Sequence, residues 1–339
     1  MPQEVTQNDH LNVTYIIGDA LGSKKNIATI SIGTPTAPLN SPLNEAIKAA
    51  QDLAAYYAGN KIYLCLSGGV DSECMLESFV RARVDFCPVL LVFSGGYNEF
   101  DIHHARQACR RHGLSWIEKN LDLDRFYNSK EFLEICDATE CRSPMLAVHM
   151  WLFLELDGVP VCAWNPPRIV VGGNDKIRLT LPQELYFSYH RYSHKMNRPL
   201  RPFFFLESPA LYYSFFHLSF VQSLLRDPKK WRSQYNLDEY YIKCHMYRNA
   251  GYHFSDKTYK FTGFEHYKNH VMSTYKSDQH EYTRRFRTPL EEKFATPDIT
   301  YAKIDLNWVL GKNDSSGHQD NFHNLVTWDS TLAFQMEKN

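Results

Sequence analysis

The chain reads as an α/β protein in which a parallel twisted sheet is followed by a mostly helical C-terminal domain. Three observations predict this. Between residues 59 and 180, short apolar strand runs alternate with helical runs, a pattern that favours parallel strands joined by right-handed helical crossovers. The glycine turn Ser67-Gly68-Gly69 joins one of these strands to the helix after it, at the edge where open α/β sheets bind ligands. After about residue 180 the strand runs disappear and helical patterns take over 208–225, 236–248 and roughly 264–286. Three domains are therefore expected: N-terminal strands and a helix over 1–58, an α/β domain over 59–180, and a helical, aromatic-rich domain over 181–339.

The elements follow in order. NVTYIIG at 12–18 and the run at 27–33 form two short strands around a Gly-Ser-Lys-Lys turn. Ser41 caps a helix with Pro42 in its first turn, running to about Ala58 with Leu43, Ala46, Ala50, Leu53 and Ala54 on one face. KIYLCL at 61–66 is a buried strand, 72–83 a helix and FCPVLLVF at 86–93 a second strand. Asn98 to His112 is a helix ended by Gly113. LSWIEKN at 114–120 is the third strand, 144–156 a helix ending near Gly158, and PRIVVGG at 167–173 holds the fourth strand. Clustered Arg, Lys and Pro blur the order of 191–202.

Composition narrows the function class. With 44% hydrophobic and 22% charged residues over 339 positions, the chain can bury a core without disulfides or a structural metal. A net charge of -1 gives no global field for nucleic acid or an anionic membrane, although a local basic patch stays open. No run approaches the roughly 20 apolar residues of a membrane span, and the polar start MPQEVTQNDH lacks a signal-peptide pattern. A cytoplasmic protein in a reducing compartment is expected. Aromatics reach 14%, most of them after position 180, and serve either a helical core or a platform for a planar substrate. The cysteines sit mainly in apolar runs without a CxxC pair, as small hydrophobes do. Cys136 and Cys141 are the closest pair.

The segment KIYLCLSGGVDSECMLESF is the most informative. A strand ends at Leu66, and a helix begins near Ser72. Gly68 and Gly69 let backbone approach a ligand closely, and their N–H groups with those of the helix start can converge on an anion. Ser67 and Ser72 add hydroxyls. The Asp71 carboxylate would repel a phosphate unless Mg²⁺ lay between them. These residue types describe a Mg-pyrophosphate cradle.

Ser67-Gly68-Gly69-Val70-Asp71-Ser72 resembles the SGGxDS motif of the PP-loop (N-type) ATP pyrophosphatases. The resemblance covers roughly residues 59–180 and favours the amide- or nitrile-forming branch, near asparagine synthetase and the 7-deazaguanine synthetases. It implies a HUP-like (adenine nucleotide α-hydrolase) fold, ATP and Mg²⁺ as cofactors, and an adenylated intermediate formed with release of pyrophosphate. It further implies that backbone near Val92 and Phe93 contacts adenine and that Val170-Val171-Gly172-Gly173-Asn174-Asp175 ends the fourth strand at the site. Asp175 there either helps hold Mg²⁺ or orients substrate, or caps the next segment. Ser94-Gly95-Gly96 lacks a following Asp-Ser and fits a turn or a ribose-side contact. Gly18 to Lys25 has the wrong spacing for a Walker loop and reads as a hairpin turn.

Cleavage between the α- and β-phosphates needs positive charge. Arg142, Lys176, Arg178, Lys257 and Lys260 are the candidates, with Arg142, Lys176 and Lys260 preferred as catalytic beside Ser67 and Asp71. Arg284, Arg285 and Arg287 suit a solvated helix face. His103 and His104 are neighbours and cannot share a helix face, and Cys244, His245 and His253 lack a fourth partner for a metal. The favoured function is adenylation of a small-molecule acceptor, then C–N bond formation with ammonia or an amine. Met1-Pro2 offers no N-terminal cysteine nucleophile, so ammonia would be free or come from a separate donor. Sulfur transfer to tRNA, PAPS-reductase-like chemistry and a non-enzymatic nucleotide-binding module are the alternatives.

Overall fold

The computed structural model describes residues 3–8, 11–16, 27–164, 167–172, 177–182, 188–189, 192–193, 195–235, 237–255, 257, 262–278, 280–294, 299–310 and 331–336. Strands β1 (Gln3–Asn8), β2 (Leu11–Ile16) and β3 (Ile27–Ile32) pair antiparallel, with Leu11 opposite Ile32 and Ile16 opposite Ile27. Helix α1 (Pro42–Tyr56) starts where its cap predicts: Ser41 Oγ accepts the Asn44 N–H at 3.4 Å and Pro42 sits in the first turn. Its buried stripe contains Leu43, Ala46, Ala50 and Leu53.

The α/β unit then runs β4 (Ile62–Leu66), α2 (Val70–Ala82), β5 (Cys87–Phe93), α3 (Glu99–Arg111), β6 (Ile117–Leu121), α4 (Leu123–Tyr127), α5 (Lys130–Thr139), α6 (Pro144–Leu154) and β7 (Val159–Val161). All three strand pairings are parallel, in the order β6-β5-β4-β7. The chain steps outward from β4 to β5 to β6 and returns to the far side of β4 at β7. That reversal puts a topological switch point between β4 and β7, whose carboxyl ends form the crevice where such sheets take ligands.

Strands β8 (Ile169–Val171) and β9 (Ile177–Pro182) follow. Helices come next: α7 (Pro209–Ser214), α8 (Ser219–Arg226), α9 (Pro228–Arg232), α10 (Glu239–Asn249), α11 (Phe264–Thr274), α12 (Thr288–Lys293) and α13 (Leu306–Val309). Strands β10 (Ile299–Lys303) and β11 (Thr331–Met336) are interspersed with the last of these. Among the described residues, no helix is long and apolar enough to cross a membrane.

Several features differ from the sequence reading. The fourth parallel strand is β7, not the 167–173 run, whose β8 pairs antiparallel with β9, itself paired with β11. Val-Pro-Val is short and carries a proline, so it has a weak strand signal. Pro160 is tolerated because Val159 N–H donates to Lys61 across the β4 ladder, while the Pro160 carbonyl faces away and accepts from Arg201 N–H. Strands also persist after residue 180: β10 joins β3 in parallel from more than 260 positions away, a pairing local pattern cannot reveal. The expected 264–286 helix stops at Thr274, where Lys276 takes a left-handed conformation with φ 48. Helices α4 and α5, each started by an Asp122 or Ser129 side-chain cap, stand where none was expected.

One connected cluster of buried side chains takes in Ala46 and Ala50 of α1, Leu64 and Leu90 of the sheet, and Tyr212 and Tyr247 of the helical part. Tyr189, Tyr192, Phe203, Phe204, Tyr213 and Tyr267 are buried as well. Most of the aromatic excess therefore builds core, each large ring contributing roughly 1.5–3 kcal/mol of burial.

Candidate active site

β4 delivers the chain to the carboxyl edge of the sheet at Leu66, and α2 starts at Val70 with Gly69 as its N-cap. Gly69 brings no capping side chain, which leaves the first-turn N–H groups of α2 for an anion. Hydroxyls brace the turn: Ser72 Oγ donates to the Gly69 carbonyl at 2.8 Å, Gly69 N–H donates to Ser67 Oγ at 3.3 Å, and the two hydroxyls are 3.4 Å apart. Gly68 adopts φ +75, and a Cβ there would stand 1.8 Å from the Asp101 carbonyl oxygen at the start of α3. Only glycine lets the turn pass this close.

The acidic groups of α2 fasten a distant segment over the turn. Asp71 Oδ2 meets Lys243 Nζ of α10 at 2.9 Å, and Tyr247 OH donates to Asp71 Oδ1 at 3.0 Å. Four residues apart, Lys243 and Tyr247 share one face of α10. Burial opposes the Lys243 ammonium, but the Asp71 carboxylate beside it outweighs that and its pKa is raised. Burial, reinforced by Asp71, pushes the Tyr247 phenol well up. Lys257 donates to the Gly68 carbonyl and lies 3.0 Å from Glu73 Oε2, an ion pair without hydrogen-bond alignment at that oxygen. The Lys257 and Glu73 side chains are 4% and 3% exposed, so both charges depend on their partners. Glu73 also pairs with Arg111 and accepts the Ser255 N–H at 3.2 Å, while Glu77 accepts the His253 N–H at 2.9 Å. Two lysines thus converge on the glycine turn from the helical part.

A cavity of about 270 Å³ opens beside the turn. Ser67, Asp71, Ser72, Asn98 and Asp101 stand on its polar side. Its floor is Cys65, Leu91 and Phe93 of the sheet, with Cys162 and Trp164 after β7. Helix α6 contributes Met145, His149 and Phe153. His149 is held in the wall by two contacts: its Nδ1 is 3.2 Å from Tyr189 OH, and its ring is 4.9 Å from that of Trp164. The cavity therefore occupies the β4/β7 crevice, apolar within and polar toward the turn, as ligand pockets commonly are.

The structure brings together Ser67, Gly68, Gly69, Val70, Asp71 and Ser72 as one turn and helix start, with Lys257 against it. Phe93 lines the cavity, but its N–H donates to Asn98 Oδ1 at 2.9 Å, and Asn98 Nδ2 donates to the Leu91 carbonyl at 2.8 Å. Of the backbone near Val92 and Phe93 expected to contact adenine, the Phe93 N–H is thus bonded to Asn98. Val92, adjacent on the strand, points its side chain to the opposite face. Arg142 lies 3.4 Å from Glu291 and does not line the cavity. Cys136 and Cys141 are buried, and Ser94-Gly95-Gly96 forms a 3₁₀ turn with positive φ at both glycines. Gly173, Asp175, Lys176 and Lys260, and the side chain of Arg178, lie outside the described residues. Sequence reasoning missed Lys243, Tyr247, Asn98 and His149. Asn98 had a local signal, a polar residue at a strand–helix junction, whereas Lys243 had none.

The fold and site define an open parallel α/β sheet with a glycine turn at its switch point and two lysines over that turn. No family model matches the chain, and no curated protein matches it. Among solved structures it is similar to an NMN synthetase from Francisella tularensis, at 12% identity and TM-score 0.27, over 37% of this chain and 53% of that one. It is similar to a glutamine-dependent NAD+ synthetase from Acinetobacter baumannii in complex with ADP, at 17% identity and TM-score 0.29, over 39% of this chain and 27% of that one. It is also similar to an NH3-dependent NAD synthetase from Campylobacter jejuni subsp. jejuni NCTC 11168 in complex with nitrate, at 16% identity and TM-score 0.30, over 64% and 97%. The chain spans about half of the first of these proteins and about a quarter of the second.

Proposed function

We propose that the chain binds ATP at the 67–72 turn, cleaves it between the α- and β-phosphates, and adenylates a small-molecule acceptor that ammonia or an amine then attacks. The observation that carries this is the convergence of Lys243 and Lys257 on a braced Ser-Gly-Gly turn at the switch point. Backbone N–H groups at the start of α2 would hold the pyrophosphate end, and the apolar cavity would take the nucleoside and exclude water from it. Lys243 would exchange Asp71 for phosphate oxygens and stabilise charge on the leaving pyrophosphate.

Asp71 fits a Mg²⁺ contact by donor chemistry. It is a carboxylate lining the cavity beside two hydroxyls, the oxygen set that Mg²⁺ takes together with phosphate. When bound, the ion would neutralise phosphate charge. The chain's own groups position the nucleotide and carry the remaining charge, with Tyr247 orienting Asp71.

The test is incubation of the purified chain with ATP, Mg²⁺ and a small-molecule cell extract, with products read by mass spectrometry. AMP and pyrophosphate are expected, together with a newly aminated metabolite. ADP and phosphate instead would overturn the assigned bond. Asp71→Asn should abolish pyrophosphate release, and turnover of that variant at the wild-type rate would remove its metal role. Lys243→Met should lower turnover by about 10²–10³-fold.

A further inference from the structure

The cavity floor contains two thiols for which adenylation has no use. Cys65 is the penultimate residue of β4, and Cys162 follows the last residue of β7. The β4–β7 register sets Leu64 beside Val161, so the next residue along each strand brings Cys65 beside Cys162. Both line the cavity, and the Cys162 thiol lies close enough to raise the Cys65 pKa. Adjacent strands lie about 4.7–4.9 Å apart, within the roughly 4.4–6.8 Å between Cα atoms that a disulfide spans. Cys162 is only 4% exposed and Cys65 is half-buried, so reagents reach the pair through the cavity. Among the described residues no group of three His, Cys, Asp or Glu side chains is placed to hold a metal ion.

We propose that Cys65 and Cys162 form a reversible disulfide, a redox modification site in the floor of the cavity that weakens ligand binding. The oxidant is a small disulfide such as oxidised glutathione. One protein thiol, losing its proton, attacks that S–S bond and releases the first small thiol. The second protein thiol, losing its proton, attacks the mixed disulfide and releases the other. Two protein thiols are oxidised and one small disulfide is reduced to two thiols. The new bond draws the sulfurs to about 2.05 Å. Cys65 is two residues before Ser67 and Cys162 two before Trp164, so the pull acts on both lips of the crevice. The neighbouring thiol and burial both raise the Cys65 pKa. Thiolate is therefore scarce at neutral pH, and oxidation accelerates as pH rises.

The effect on nucleotide rests on the adenylation reading, but the bond does not. The reduced full-length protein is exposed to oxidised glutathione at neutral and alkaline pH and mapped under non-reducing conditions. A linked Cys65–Cys162 peptide is expected, faster at alkaline pH and removed by dithiothreitol. Isothermal titration with Mg-ATP should then show affinity about tenfold weaker or more in the oxidised form. Cys65→Ser and Cys162→Ser should each abolish this oxidant response. Mixed disulfides on other cysteines without the linked peptide would overturn the proposal, and a linked protein with unchanged affinity would overturn its effect on the ligand. Reduced protein that binds no ATP would defeat the adenylation reading, while the peptide map would still decide the bond.

Discussion

At the residue scale, Gly68 is the least replaceable position. Its carbonyl is taken by Lys257, its φ is +75, and the space for a Cβ is filled by the Asp101 carbonyl. Gly68→Ala should therefore cost more than the roughly 1–2 kcal/mol of a left-handed non-glycine residue alone. Urea titration checks the stability, and Mg-ATP calorimetry should find binding lost. Glu73 and Lys257 form the most buried charge pair of the site. Removing Lys257 leaves Glu73 with Arg111 and the Ser255 N–H, so Lys257→Met should destabilise by less than the about 3–5 kcal/mol of a fully uncompensated buried charge. A fall of less than about 1 kcal/mol in denaturant unfolding would show that water reaches Glu73. The turn itself was legible because its six residues are contiguous between a strand and a helix. Lys243 was not, since it meets Asp71 from 172 positions away and nothing in its own neighbourhood marks it.

At the element scale, α2 acts as a fastener: Asp71, Glu73 and Glu77 hold α10, His253, Ser255 and Lys257 to the glycine turn. A comparable link joins α3 to β6, where Arg106 Nε and Nη2 donate to the two Glu118 carboxylate oxygens at 2.7 and 3.0 Å. Arg106, opposed by burial and helped by the Trp116 N–H, holds Glu118 down at about 2 from an ordinary 4.5. The folded pKa is depressed, so this link contributes fully above about pH 4.5 and is lost as pH falls toward 2. Glu118→Gln should flatten the stability loss across that window, measured as urea midpoints at successive pH values. Equal slopes in both proteins would remove the assignment. Element type was readable wherever periodicity ran long, as in α1 and α3. It failed at β7, whose three residues and proline give propensity little to act on, and where pairing with β4 decides the outcome.

At the scale of the whole molecule, the turn and the helical part share one network, so ligand binding at the turn should be felt far along the chain. Mg-ATP at about 100 times its dissociation constant should add about 2.7 kcal/mol to the stability of whatever unfolds with the site. Hydrogen exchange should show that protection in α10 as well as in α2, because Lys243 and Tyr247 tie the two together. Protection confined to α2 would mean that the lysines do not report on the ligand.

The sequence by itself determined the alternation of strands and helices, the glycine turn at a strand–helix junction, and the residue types that suit phosphate. These properties are local: hydrophobic period, capping side chains and the freedom of glycine act over a few residues. Tertiary structure alone decided which run became the fourth strand, which lysines reach the turn, that Arg142 turns to Glu291 instead, and that Cys65 lies beside Cys162. Each of these depends on burial and on pairing between distant segments, whose energies are comparable for several competing partners until the core is packed.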